Sequence, residues 1–201
     1  DIYRAKNTDD EIVAIKILAE HLQNKDISIK NFEKEAELLS KIKHRNIVSL
    51  TSFDTSPPHP YIVQEYIEGR SIADLLTNLE TPLSLSRIIE IALQVADALS
   101  YAHNLEHFKI VKTKEGGKSS KKISGIIHRD LSTDNILIND MGEVKLIDFG
   151  IARAAGIRTI TANDAFGKEF YIAPEVEVGN EKAFKPEVDI YSFGVCLYEM
   201  I

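Results

Sequence analysis

Cysteine is nearly absent. Cys196 alone occurs in 201 residues, so no internal disulfide framework is available and the chain fits a reducing compartment. It sits in an apolar run, where it reads as buried filler. No apolar run approaches the ~20 residues that a membrane-spanning helix needs. No basic, apolar, small-residue succession marks a signal peptide, and a cytoplasmic location is expected. Positive charge is not in excess: 24 Lys and Arg against 31 Asp and Glu leave −7, so the chain as a whole carries no nucleic-acid signature. Cys and His spacing gives no zinc site. One H-x-x-E-H pattern, His103-Asn104-Leu105-Glu106-His107, runs from a helical segment into lysine-rich sequence and reads as a chance match. The chain starts with Asp1 and stops at Tyr198-Glu199-Met200-Ile201 inside a helical pattern without a stop signal, so a piece of a longer protein is expected. With 44% hydrophobic and 27% charged residues, the composition is that of an ordinary globular protein, long enough for one large domain or two small lobes.

Two stretches organise what is there. The first is His128-Arg129-Asp130-Leu131-Ser132-Thr133-Asp134-Asn135, and the second is Val144-Lys145-Leu146-Ile147-Asp148-Phe149-Gly150. Between them, Ile136-Leu137-Ile138 and 144–147 read as a hairpin closed by the turn Asn139-Asp140-Met141-Gly142. Such a hairpin returns Asp148 to the side of Asn135. A carboxylate and an amide oxygen make a hard-oxygen pair suited to Mg²⁺ rather than zinc. Asp130 is then left to act on a nearby hydroxyl.

Upstream, residues 11–18 read as a strand with Ala14 and Lys16 on one face and Val13, Ile15 and Ile17 on the other. Lys16 either snorkels to water or has a partner. Residues 31–42 carry an apolar helical stripe, and Glu35 falls on it with Leu38, Leu39 and Ile42. An inward carboxylate needs an opposite charge, and Lys16 is the candidate. Residues 47–53 and 61–66 read as a strand pair around Thr55-Ser56-Pro57-Pro58-His59-Pro60. Residues 85–103 read as a core helix. Residues 105–124 hold six lysines against two glutamates, a charge of +4, with the composition of a flexible loop around Glu115-Gly116-Gly117. A solvated surface insertion and a docking arm for an acidic partner are both open.

H-R-D-x-x-x-x-N followed by D-F-G resembles the catalytic core of eukaryotic-type protein kinases, as do Val13-Ala14-Ile15-Lys16 and Ala173-Pro174-Glu175. The resemblance spans nearly the whole chain. It implies an α+β, two-lobed fold: a small antiparallel β-sheet lobe with one helix at 1–67, and a mainly helical large lobe at 68–201 with the insertion at 105–124, both lobes partial. It implies transfer of the ATP γ-phosphoryl group to Ser/Thr hydroxyls of protein substrates. Asp130 would orient and deprotonate the acceptor, and Asn135 and Asp148 would hold Mg²⁺. Lys16 would bind the α/β-phosphates and pair with Glu35. Ala14, Leu137, Gln64 and the backbone of Glu65 and Ile67 would line the adenine site. Asp189 would anchor the catalytic-loop backbone. Arg129 would hold a phosphorylated activation loop, in which Thr159 and Thr161 are either acceptors or ordinary loop polarity.

Several family features are missing. No glycine precedes Gly69, so the Gly-rich phosphate loop expected before Lys16 is not present in the chain. Glu175 normally pairs with a late arginine, and none follows Arg158. Ser132 stands where Ser/Thr kinases carry a lysine, and Lys168 stands where they carry a threonine that meets both the catalytic Asp and that lysine. We read Lys168 as the replacement charge, the alternative being a salt bridge to Glu169 or a solvated side chain. Two rival functions follow: a pseudokinase that binds nucleotide without turnover, and a small-molecule phosphotransferase. The Arg beside the catalytic Asp and the segment ending in Ala-Pro-Glu speak against the second rival.

Overall fold

The computed structural model describes residues 1–23, 25–112, 118–149, 168–177 and 185–201. The first strands alternate as the sequence requires. β1 (Ile2–Lys6), β2 (Ile12–Ile17), β3 (Leu50–Asp54) and β4 (Tyr61–Glu65) form an antiparallel sheet ordered β1-β2-β4-β3. The register sets Ala14 opposite Gln64 and Lys16 opposite Ile62, so these four share one face. A short helix α1 (Glu20–Gln23) leads into α2 (Asp26–Leu39). The apolar stripe of α2 buries Phe32, Ala36 and Leu39, and Phe32 and Ala36 close over Leu18 and Ile62 of the sheet. The helix starts five residues before the expected position, because Ile27 and Ile29 extend a helix-compatible run back to Asp26. The third strand starts later than expected. Ile47 and Val48 leave the small sheet and join β9 (Val144–Leu146) instead: Val48 N donates to Leu146 O (2.9 Å) and Leu146 N to Asn46 O (2.9 Å).

The remainder packs around α4 (Leu85–Asn104), capped by Ser84, which accepts from Arg87 N at 3.3 Å. Its buried stripe of Ile88, Ile91, Val95, Ala98, Leu99 and Ala102 is the spine of the large core. Complete burial of one such side chain is worth about 1.5–3 kcal/mol. β5 (Gly69–Ser71), β8 (Ile136–Asn139) and β9 make a small sheet in that order. Gly69 is required there, since a Cβ would collide with the Ile138 carbonyl. α3 (Ile72–Thr77), α5 (Pro174–Glu177) and α6 (Pro186–Met200) complete the helices among the described residues. Cys196 and Met200 of α6 lie in the core with Leu131, Ile136 and Leu146. Burial pushes the Cys196 thiol up to about 12, as befits packing filler.

The insertion is not the loop that its composition suggests. β6 (Glu106–Lys112) and β7 (Lys118–Ser124) form an antiparallel ribbon, with Glu106 opposite Ser124 and Lys112 opposite Lys118. The glycines and Glu115 cluster between the strands, in 113–117, which lie outside the described residues. Phe108, Ile110, Val111 and Ile123 give the flanks β-forming character that an average over twenty residues hides. At the base of the ribbon, Gly125 N donates to Leu105 O (3.0 Å). Gly125 has φ +86°, and a Cβ there would meet the His103 carbonyl, so this turn also needs glycine.

A candidate phosphoryl-transfer site

Lys16 projects from the sheet face that α2 covers. Its Nζ donates to Glu35 Oε1 at 2.7 Å and to Asp148 Oδ1 at 2.8 Å. Glu35 is nearly buried, with 6% of its side chain exposed. Burial alone would lower the Lys16 pKa, but the two carboxylates outweigh it and hold the ammonium above its usual value. Burial pushes Glu35 upward, against the pull of Lys16. One cation thus joins three elements: β2, α2 and the segment after β9.

The hairpin of β8 and β9 pairs Ile136 with Leu146. Ile147 N then donates to Asn135 O (3.1 Å), which brings Asp148 next to the 3₁₀ turn Thr133–Asn135. Asn135 Nδ2 donates to the Asp130 carbonyl (2.6 Å), with a longer 3.4 Å approach to Asp130 Oδ2. That commits the amide NH₂ and leaves the amide oxygen as the group able to meet a cation. Arg129 and Asp148 both take left-handed backbone conformations, φ 68° and 53°. Such non-glycine residues persist only where their surroundings over-determine them.

For the loop, the surroundings are Asp189. This carboxylate is fully buried in the first turn of α6. It accepts from His128 N (2.7 Å), Arg129 N (2.8 Å) and His103 Nε2 (2.7 Å). His128 is fully buried, bonds Ile147 O through Nε2 (2.9 Å) and lies 4.5 Å from the buried ring of Phe149. Burial pushes its pKa down, so the imidazole is held neutral.

A family model described as the protein kinase domain matches residues 1–201. The chain belongs to the protein kinase domain family. It is 32% identical over 204 residues to the probable serine/threonine-protein kinase PknB of Lactococcus lactis, covering 100% of this chain and 29% of that protein. It is 34% identical over 193 residues to the serine/threonine-protein kinase PrkC of Bacillus subtilis, covering 96% of this chain and 26% of that one. A probable serine/threonine-protein kinase of Clostridium perfringens is 34% identical over 190 residues, 94% of this chain and 24% of its own. The chain therefore spans between 24% and 29% of the length of these curated relatives.

The family implies ATP use, generally with a metal ion. The donors in this kinase domain fit such a ligand: one carboxylate, Asp148, and one amide oxygen, Asn135, both hard. Among the described residues, no group of three His, Cys, Asp or Glu is gathered as a metal site, and His103 of the zinc-like pattern is engaged by Asp189. No helix among the described residues is long and apolar enough to cross a membrane.

The other expected site residues fall as follows. Ala14 and Gln64 sit opposite each other on the cleft side of the sheet, and Gln64 is buried, its Nε2 without a hydrogen-bond partner among the described residues. Leu137 is on β8, and Ile67 follows β4 before Gly69. Glu65 is also bound through its side chain, which takes Lys145 Nζ (2.7 Å) and Ser49 N (2.7 Å). Lys168 starts a 3₁₀ turn, Lys168–Tyr171, but its side chain lies outside the described residues, as do Gly150, Thr159 and Thr161.

Sequence reasoning missed four parts of the kinase domain. His103 was legible as the end of a core helix but not as a partner of Asp189. Lys145 carries no periodic signal that points at Glu65. Asn46, 2% exposed, donates to Gln94 Oε1 (2.9 Å) and Val144 O (2.8 Å), tying the segment after α2 to α4 and β9. Thr133 reads as a plain loop residue, yet its hydroxyl donates to Glu199 Oε2 (2.8 Å) and lies 2.9 Å from the Tyr171 hydroxyl. Each of these depends on a contact between residues far apart in the chain.

Proposed function

We propose that the protein is an ATP-dependent serine/threonine protein kinase. The observation that carries this reading is Lys16, which bonds Glu35 and Asp148 at once beside a loop pinned by Asp189. ATP with Mg²⁺ supplies an electrophilic phosphorus and cations that neutralise charge as the phosphoryl group leaves. Asn135 and Asp148 would hold the metal. Lys16, fixed by Glu35, orients the phosphates. Ala14, Leu137 and Gln64 border the adenine, and the Glu65 and Ile67 backbone meets its edge. Asp130 positions the acceptor hydroxyl and takes its proton at a carboxylate oxygen as the hydroxyl oxygen bonds the γ-phosphorus. The bond from the γ-phosphorus to the β-phosphate oxygen breaks and ADP leaves.

Residues 1–67 form the small lobe in this reading and 68–201 the large one. In this reading the work is cytoplasmic, on protein substrates, and the lysine-rich ribbon is either a solvated surface insertion or a docking arm for an acidic partner. The test of the main reading is a phosphotransfer assay on the full-length protein with Asp148→Ala as control. Label transferred to protein and lost in the variant supports it. Transfer only to a small hydroxylated acceptor, or Mg-ATP binding without transfer, replaces it.

One observation favours the pseudokinase alternative: Ser132 replaces the lysine that stabilises the transferring group. In our reading Lys168 supplies that charge through its four-carbon stem. Lys168→Thr is expected to lose about 10²-fold in turnover, the scale of one preorganised donor. Adding Ser132→Lys restores much of it, a non-additive pair. Full activity of Lys168→Thr alone removes the compensation.

A further inference from the structure

In the family pattern, an activation-segment threonine ties that segment to the catalytic Asp and to the lysine beyond it. Here those positions hold Lys168 and Ser132, so that tie cannot form. Ser132 is 1% exposed and its Oγ has no hydrogen-bond partner among the described residues. The next residue does have partners. Thr133, 3% exposed, donates from Oγ1 to Glu199 Oε2 at 2.8 Å and lies 2.9 Å from the Tyr171 hydroxyl. Tyr171 donates to the same Glu199 oxygen. Burial and the Glu199 bond push the Tyr171 pKa up, which keeps the phenol a donor.

We propose that Thr133 is a positioning residue, the new fastening between the catalytic loop and the segment that begins at Lys168. The inference rests on the kinase reading. Thr133 opens the 3₁₀ turn between Asp130 and Asn135, and Asn135 N donates to Ser132 O (3.0 Å). A shift at Thr133 therefore reaches both catalytic-loop residues. Tyr171 closes the turn that starts at Lys168, and its carbonyl accepts from Ser192 Oγ of α6 (2.7 Å). Holding Tyr171 holds the backbone of Lys168. Two hydroxyls gathered on one carboxylate give charge-assisted bonds, stronger and more directional than neutral ones. The fastening takes one hydroxyl from the loop, Thr133, and one from the segment, Tyr171, and gathers both on a carboxylate of α6.

The test uses Thr133→Val in the full-length protein, which keeps the shape and removes the hydroxyl. We expect kcat/KM for a peptide substrate to fall about tenfold, the size of one lost hydrogen bond to a charged group. KM for ATP should stay within about twofold, because Lys16, Glu35 and Asp148 are untouched. Thr133→Ser should restore activity. Tyr171→Phe should lose a similar factor, and the double variant should be no worse than the poorer single one. A separate readout does not depend on turnover: Thr133→Val and Tyr171→Phe should each speed amide exchange over residues 168–173. Unchanged exchange, additive losses, or a parallel rise in KM for ATP overturns the fastening. Faster exchange in the two variants, with no phosphoryl transfer by the wild-type protein, keeps the fastening and overturns the kinase reading. If Thr133→Val fails to fold, Tyr171→Phe carries both measurements.

Discussion

In the cleft, opposite charges meet. Lys16 lies 2.7 Å from Glu35 and 2.8 Å from Asp148, each drawn from a different element. In the β6–β7 ribbon, the backbone register places like-charged residue types opposite each other. The register sets Lys109 opposite Lys121 and Lys112 opposite Lys118, and like charges directly opposite across a ladder are destabilising. The whole chain carries −7, and residues 105–124 carry +4, so the rest carries −11. The cleft meets its electrostatic needs within the molecule. The lysine-rich sequence of the ribbon suits an anionic partner or solvent. Charge count alone cannot separate the two regions; the identity of each charge's neighbour does.

The largest effect should come from breaking the cleft side of this contrast. Lys16→Met should cut turnover by about 10²-fold or more, since catalysis of this type is positioning and charge stabilisation. It should also leave Glu35 buried without its cation. Burial already raises the Glu35 pKa above its ordinary 4.5. A raised carboxyl pKa favours the folded state at low pH, and that contribution is lost as pH rises through the folded value. The variant should therefore lose more Tm relative to wild type near about pH 8 than near about pH 5. Thermal unfolding at the two pH values decides it, and an equal loss at both would clear Glu35 of the effect.

A smaller effect is expected beneath the loop. His128 is buried, and its pKa is held below the ordinary 6.5. Below that value the unfolded chain takes up a proton that the folded one refuses, so stability present above pH 6.5 is lost as pH falls. Wild type should lose more Tm between about pH 7.5 and about pH 5.5 than His128→Phe does. Parallel curves would mean that other groups set the acid limb.

The smallest effect concerns the ribbon. Deleting residues 109–122 and joining the ends should change kcat on a short peptide by no more than about twofold, as for surface changes away from buried features. The junction spares Gly125 N and its bond to Leu105 O. A collapse of peptide turnover would show that the ribbon supports the site rather than standing apart from it. Loss of activity confined to an acidic protein substrate would sharpen the contrast.

Much of the domain could be read along the chain. Lys16 on an alternating strand, Glu35 on an apolar helical stripe and the turn between β8 and β9 are local patterns, each fixed by side-chain periodicity or turn chemistry. The spacing from Asp130 to Asn135 and on to Asp148 made the site recognisable, because a hairpin of known geometry lies between them. The ribbon was misread because twenty residues were averaged into one composition, while strand formation depends on which residues flank the turn. Contacts of high sequence separation left no such trace. Asn46 with Val144, His103 with Asp189, Lys145 with Glu65, and Thr133 with Tyr171 and Glu199 join residues 38 to 98 positions apart. A single polar side chain in a loop has no period that announces its partner. Local patterning determined the strands, the helices and the order of the candidate site groups. Only the folded chain decided which buried hydroxyl, amide or imidazole would hold those groups still, because each buried polar group must take its partner from whatever the packing brings within reach.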